Sequence, residues 1–156
     1  MTQERSSNTF TGEQALAQLK HFAAVWQGYA FALARKAGIG PREAAALFVE
    51  PYLSNTFFPP LATEQMLEQQ ARQIAGTLAL THEEQSLHLE LQGDTWLLKA
   101  TIPDREALER YGVALEWHTQ WLAEQLRFVC EPKGIACSAW LDENTQYIRL
   151  SRQPAS

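Results

Sequence analysis

Cysteine, cationic side chains and long apolar runs are all scarce in this chain of 156 residues. Its two cysteines are too few for the disulfide scaffold of a small secreted domain. Thirteen lysines and arginines stand against eighteen aspartates and glutamates, a formal charge of −5, and no basic run could follow a phosphate backbone. We therefore expect no nucleic-acid partner.

Targeting and membrane-spanning segments are missing too. The first ten residues, MTQERSSNTF, lack the basic start and the apolar core of a signal peptide. No apolar stretch approaches the roughly 18 residues that indicate a membrane span. These absences predict a cytoplasmic protein that does not contact a membrane.

No motif typical of catalysis or phosphate binding is present. There is no Gly-x-Ser-x-Gly elbow, and the GIGP of residues 38–41 lacks the preceding strand and further glycine of a phosphate-binding loop. Metal-ligating residue types cluster only within residues 82–90, which we interpret as the solvated face of a sheet. The sequence thus predicts no metal site and leaves any cofactor unknown. We interpret Cys130 and Cys137 as reduced, partly buried thiols, and a redox role stays open.

Three segments of the first half have helical periodicity. The TGEQ of residues 11–14 is a predicted capping box for a long amphipathic helix, which Gly38 ends. Pro41 suits the first turn of a second helix, which ends or bends at Pro51. Thr63 is the predicted cap of a third helix that ends near Gly76 or soon after.

The periodicity then changes to that of strands. Residues 87–102 alternate on both sides of a Gly-Asp turn, which predicts a β-hairpin. A fourth helix follows to about Phe128, and a second hairpin surrounds the DENT of residues 142–145. Three helices followed by β-β-α-β-β predict an α+β fold with helices packed on an antiparallel sheet. We expect one domain over residues 11–152, with flexible ends at residues 1–10 and 153–156.

The predicted fourth helix has an apolar side roughly 180° wide when it is projected at about 100° per residue. His118 and Gln125, two turns apart, lie in the middle of this side, whereas Thr119 falls on the polar half. A buried imidazole without a partner costs about 1–3 kcal/mol. We therefore expect both groups to be hydrogen-bonded to protein, water or ligand, with a neutral imidazole at rest.

Two interpretations of His118 remain open. It is either a core residue with its hydrogen bonds satisfied, or it faces a cavity together with Gln125. Ligand sites are mainly apolar with a few polar groups, and the candidate aromatic walls of such a cavity are Trp117, Trp121, Trp26 and Tyr29.

An aromatic loop, PYLSNTFFPPL, follows the second helix. Its Phe57 and Phe58 stand beside two prolines that stiffen the backbone. They either anchor the loop in the core, or serve as a lid or an interface.

The element order, closed by the hairpin ACSAWLDENTQYIRLS, resembles the ligand-binding domain shared by vinyl-reductase-type proteins and certain subunits of the TRAPP vesicle-tethering complex. The resemblance covers residues 11–152. It implies a dimeric domain with an apolar pocket between helices and sheet. The clustered cysteines that many such domains carry around a glycine in this hairpin are not matched, since Cys137 stands alone there. No residue role is transferred.

Three functional hypotheses follow. In the leading one, a homodimeric domain binds a small apolar or aromatic molecule, and His118 and Gln125 orient its polar end. The second is a cofactor-independent isomerase, lyase or hydratase with His118 as general acid or base. The third is an adaptor domain without a cavity, with Phe57 and Phe58 exposed. The homodimer is expected because one covering layer is too narrow for the apolar side of the fourth helix.

Overall fold

A computed structural model describes residues 11–53, 63–79, 87–101, 105–143 and 145–153 of the chain. The two loop phenylalanines, Phe57 and Phe58, lie outside the described residues, as do residues 1–10 and 154–156. Within the described ranges the fold is α+β, as the sequence predicts.

The first helix, α1, spans Gly12–Lys36. Thr11 Oγ1 accepts a hydrogen bond from the backbone N–H of Gln14 at 3.3 Å, and Gln14 Oε1 accepts one from the N–H of Thr11 at 3.0 Å. Just beyond the other end, Gly38 adopts the left-handed conformation with φ 74°. Both predicted ends of α1 are therefore confirmed, each with the local chemistry that the sequence indicates.

Two further helices follow. Helix α2 spans Pro41–Leu53 and continues past Pro51, near which the sequence predicts an end or a bend. Helix α3 spans Glu64–Leu78, and Oγ1 of Thr63 caps it by accepting a hydrogen bond from the N–H of Met66 at 3.2 Å. The predicted cap of the third helix is confirmed.

Four strands form one antiparallel sheet in the order β1-β2-β4-β3. Strands β1 and β2 span Leu87–Gln92 and Thr95–Thr101, and β3 and β4 span Ile135–Asp142 and Thr145–Arg152. Both predicted hairpins are present. Alternate residues point to the helices, and the most buried of them are Leu98, Ala100, Ile135, Gln146, Ile148 and Leu150.

The segment between the hairpins is two helices, which corrects the predicted single helix. Helix α4 covers Arg105–Arg110 and α5 covers Leu115–Cys130. Gly112 has φ 66°, and the N–H of Val113 donates to the carbonyl of Leu108 at 2.8 Å. A glycine adopts this conformation without steric cost, so the chain ends one helix here and starts the next in a new direction.

Helix α5 packs against both β3 and α2. Trp121, Leu122 and Leu126 on this helix are buried in the core together with Phe31 of α1. The apolar side of α5 is therefore covered within one chain. Its width is no longer a reason to expect a second subunit.

Candidate functional site

His118 lies in the first turns of α5 and is buried, with 6% of its surface exposed. Its Nδ1 lies 3.0 Å from Nε2 of Gln146 on β4. The same amide nitrogen donates to Oγ1 of Thr119 at 3.0 Å. Helix and sheet are therefore joined by a buried polar cluster of three side chains, His118, Thr119 and Gln146.

The amide of Gln146 gives the imidazole a hydrogen-bonding partner within the protein. The donor and acceptor roles in this pair depend on the tautomer of His118. The contact matches the interpretation of His118 as a core residue that is hydrogen-bonded to protein.

A cavity of about 320 Å³ lies between four helices. The described lining includes no strand residue, and all of its members come from α1, α2, α3 and α5. They are Gln27, Phe48, Val49, Gln70, Gln73, Ile74, Thr77, Leu78, His118, Trp121, Leu122, Gln125, Leu126 and Val129. The volume is at the lower end of the range of small-molecule sites, roughly 300–1,000 Å³.

The lining is apolar with a polar rim. Eight of its fourteen side chains are hydrophobic, and four of the rest are glutamine carboxamides. None of the described lining residues carries a formal charge when His118 is neutral. The lining itself therefore provides apolar surface and several hydrogen-bonding groups, and the charged group next to it, the Lys133 ammonium, is bonded to the carboxamide of Gln70.

The structure brings part of the predicted set of site residues together. His118, Gln125 and Trp121 line the cavity. Trp26 and Tyr29 of α1 do not, because they lie on its exposed side, with 54% and 48% of their surface accessible. The two α1 aromatics are therefore not walls of this cavity.

Trp117 has a packing role in the described structure. Its ring meets Phe31 edge to face at a centroid distance of 5.3 Å, and Phe31 also contacts the rings of His118 and Trp121 at 5.5 and 4.6 Å. Phe31 thus inserts between the three aromatic residues at the start of α5 and fixes their rings. Phe31 therefore supports the site without lining the cavity.

Three of the four carboxamides, all but Gln125, and the partner of His118 were not predicted from the sequence. Gln27, Gln70 and Gln73 belong to helices whose polar positions look like ordinary solvent-facing ones, and Thr119 had been assigned to the polar half of its helix. Gln146 is buried at 1% exposure although it lies in a strand with polar neighbours. Its place in the alternation of β4, between the inward-facing Ile148 and the hairpin turn, is the one signal that could have indicated burial.

A second polar group lies at the end of the cavity near the C-terminus of α5. Gln70 Oε1 accepts a hydrogen bond from Nζ of Lys133. Burial lowers the pKa of Lys133, and the nearby Cys130 partly offsets this effect. The Cys130 and Cys137 thiols are free, and they share a hydrogen bond that lowers the pKa of Cys130 and, with burial, raises that of Cys137.

The metal-ligating residue types of residues 82–90 do not form a site in the described part of the chain. Glu90 instead pairs with Lys99 at 2.9 Å across the hairpin, and His88 lies exposed on the same face. Across the described ranges, no group of three or more His, Cys, Asp or Glu side chains could hold a metal ion.

Comparison with known proteins finds no matching family model, no matching curated protein and no matching solved structure. Among the described residues, no helix has both the length and the apolar character needed to cross a membrane. The cavity is therefore the feature from which a function can be inferred.

Proposed function

We propose that this protein binds a small, uncharged, mainly apolar or aromatic molecule in the cavity between α1, α2, α3 and α5. The observation that carries the proposal is the composition of the lining, in which a hydrophobic floor meets four carboxamides and no formal charge. Apolar walls with a few placed polar groups are typical of small-molecule sites.

The carboxamides restrict the chemistry of the ligand. Each glutamine side chain both donates and accepts hydrogen bonds, so the rim suits a ligand with neutral donors and acceptors such as an amide, a hydroxyl or a ring nitrogen. An ionised ligand would lose its hydration, and the described lining residues offer it no opposite charge, since Lys133 is not among them and already donates its hydrogen bond to Gln70. We expect charged molecules to bind more weakly than neutral ones of the same shape.

His118 is proposed to orient the ligand rather than to remove a proton from it. Its Nδ1 is already paired with the Gln146 amide, while the residue lines the cavity. The described lining offers no second acid or base to act together with His118, so binding is the better supported of the two functions. An adaptor domain lacking a cavity is disfavoured, because four of the described helices line one.

A pair of fluorescent probes tests the proposal. N-phenyl-1-naphthylamine is an uncharged aromatic amine, and 8-anilino-1-naphthalenesulfonate adds a sulfonate to the same skeleton. We expect the uncharged probe to bind with one site per chain, about tenfold or more tighter than the sulfonate. Tryptophan fluorescence reports the same event, since Trp121 lines the cavity.

A matched pair of variants locates the binding. Gln125→Phe places a ring in the cavity, whereas Gln120→Phe makes the same change on the exposed side of α5. Only Gln125→Phe should weaken binding of the uncharged probe. Absence of saturable binding by the wild-type protein, or equal loss in both variants, would contradict the proposal.

A natural ligand can be identified directly. Native mass spectrometry of the protein purified from its host should show a retained neutral molecule, and Gln125→Phe should lower its occupancy.

A homodimer and a cytoplasmic location stay part of the proposal, as does the resemblance to vinyl-reductase-type domains. The dimer is not assigned to α5, whose apolar side is covered. The largest group of exposed apolar side chains among the described residues belongs to α1, where Leu19, Phe22, Trp26 and Leu33 are each about half accessible or more; Leu47 and Phe48 of α2 are exposed as well.

A further inference from the structure

Helix α1 has two opposite apolar faces, and in the described part of the chain only one of them is buried. Gly28 and Phe31 are its buried residues, and both contact the body of the protein. The other face carries large hydrophobic side chains that are 48–58% exposed: Leu16, Leu19, Phe22, Trp26, Tyr29 and Leu33. Hereafter these six residues are the α1 stripe.

The spacing of the stripe is that of a helix-pairing seam. From Leu19 onward its members follow one another at alternating intervals of three and four residues, ending at Leu33. This is the heptad interval of a and d positions, which face a partner helix when two helices pack at a shallow angle. Neighbouring rings of the stripe already touch, with Trp26 edge to face with Phe22 at 5.8 Å and with Tyr29 at 5.9 Å.

We propose that the α1 stripe pairs with the α1 stripe of a second copy in antiparallel orientation. This inference gives a geometry to the proposed homodimer and does not depend on ligand binding.

The stripe is self-complementary when the two helices run in opposite directions. A two-fold axis at the level of Ala24 brings Leu19 level with Tyr29 of the partner copy, and Phe22 level with Trp26 of the partner copy. Each layer then contains one member from each half of the stripe. Such an isologous contact closes on itself and predicts a dimer rather than a chain of copies.

The charges of α1 favour the same orientation. Glu13 lies in its first turn, and Arg35 and Lys36 lie in its last. Antiparallel pairing places Glu13 of each copy beside the basic end of the other, and it sets the two helix dipoles in opposition. Parallel pairing would place Glu13 beside Glu13 and Lys20 beside Lys20, so like charges would face each other.

The available area is adequate for a dimer. An aromatic side chain buries about 150–250 Å² when fully enclosed, so half-exposed members of the stripe offer on the order of 100 Å² each. The six together give roughly 600 Å² per copy, or about 1,200 Å² in total, which reaches the lower end of stable specific interfaces. The α1 helix of 25 residues, about 37 Å long, holds this surface on one rigid element.

Two leucines with the same exposed fraction provide a matched test of the surface. Leu19 in the stripe and Leu91 at the end of β1 are both 56% exposed. Sedimentation velocity should give twice the chain mass of 17.6 kDa for the wild-type protein and for Leu91→Glu. Leu19→Glu should raise the dimer dissociation constant by about 30-fold or more. Far-UV circular dichroism controls for folding, and Leu33→Glu repeats the test at the other end of the stripe.

Cysteine cross-linking tests the orientation. Leu19→Cys combined with Tyr29→Cys should form interchain disulfides, whereas Leu19→Cys alone should not, because the two copies of residue 19 lie about 15 Å apart along antiparallel helices.

The outcomes separate the two proposals. A wild-type protein that is monomeric at about 100 μM removes the homodimer itself. A dimer in which Leu19→Glu and Leu91→Glu behave alike overturns the assignment to the α1 stripe. A dimer cross-linked by Leu19→Cys alone overturns the antiparallel geometry. Binding of N-phenyl-1-naphthylamine by monomeric Leu19→Glu would show that the cavity functions without the dimer.

Discussion

Gly28 of α1 faces the ring of Tyr111, and there is no room for a side chain between them. A methyl group on Gly28 would lie 2.4 Å from Cδ2 and 2.9 Å from Cε2 of that ring. Non-bonded carbon atoms prefer about 3.5–4.0 Å. We therefore predict that Gly28→Ala destabilises the protein even though alanine is the better helix former.

The magnitude follows from two opposing terms. Gly→Ala inside a helix stabilises by about 1 kcal/mol, and overpacking a tight contact destabilises by about 1–3 kcal/mol. The free energy of unfolding of Gly28→Ala should therefore fall by about 0–2 kcal/mol. Gly76 of α3 has open space around it, so Gly76→Ala should instead raise the free energy of unfolding by about 1 kcal/mol.

Urea unfolding followed by circular dichroism measures both changes on the same scale. The two alanine variants should differ by about 1–3 kcal/mol, which is a difference in Tm of several degrees because about 1 kcal/mol shifts Tm by ~2–4 °C at this chain length. In a Tyr111→Ala background the clash is absent, and Gly28→Ala should become stabilising. Equal stabilisation by Gly28→Ala and Gly76→Ala in the wild-type background would refute the reasoning.

The same contact links α1 to the cavity. Gln27, the neighbour of Gly28, lines it. A displaced α1 moves this carboxamide, so Gly28→Ala should also weaken binding of N-phenyl-1-naphthylamine, whereas Gly76→Ala should not.

Three further predictions concern the polar and thiol groups. Gln146→Leu removes the amide that is hydrogen-bonded to His118, so we expect the free energy of unfolding to fall by about 1–3 kcal/mol. Urea unfolding measures this change. An unchanged value would mean that the buried cluster is not held by this amide. The hydrogen bond from Lys99 lowers the pKa of Glu90, so the stabilising contribution of this pair is present above the ordinary carboxyl pKa and is lost as the pH falls. In an NMR titration of the carboxyl groups, Lys99→Met should raise the pKa of Glu90. An unchanged pKa would contradict the pairing. Diamide should link the two native cysteines within one chain, because each thiol shifts the pKa of the other and the two must therefore be close. Mass spectrometry checks this, and thiols that stay free in the folded protein rule it out.

The local features of the fold could be predicted from short stretches of sequence. The capping box at Thr11, the left-handed Gly38 and the cap at Thr63 each depend on residues within about one helical turn. The two hairpins depend on alternation and a short turn. Burial of His118 was predictable in the same way, since its neighbours one turn away on both sides are apolar.

The break at Gly112 was missed because helical periodicity continues across it. Leu108 and Tyr111 fit the same apolar pattern as the residues of α5, so the projection joined two helices into one. A single glycine within a helical pattern is compatible with an uninterrupted helix. The left-handed φ of 66° at Gly112 and the hydrogen bond from the N–H of Val113 to the carbonyl of Leu108 show that the chain turns there.

Some features of the candidate site follow from the local sequence, and others follow only from the tertiary structure. The sequence alone determined that His118 and Gln125 belong to the apolar side of a helix, because side chains three, four or seven residues apart share a face whatever surrounds them. The tertiary structure alone decided that Gln146 is the partner of His118, that glutamines of α1 and α3 complete the rim of the cavity, and that Trp26 and Tyr29 face outward. Helix geometry fixes the first kind of relation over a few residues, whereas the second kind depends on how separate elements pack and has no counterpart in local spacing.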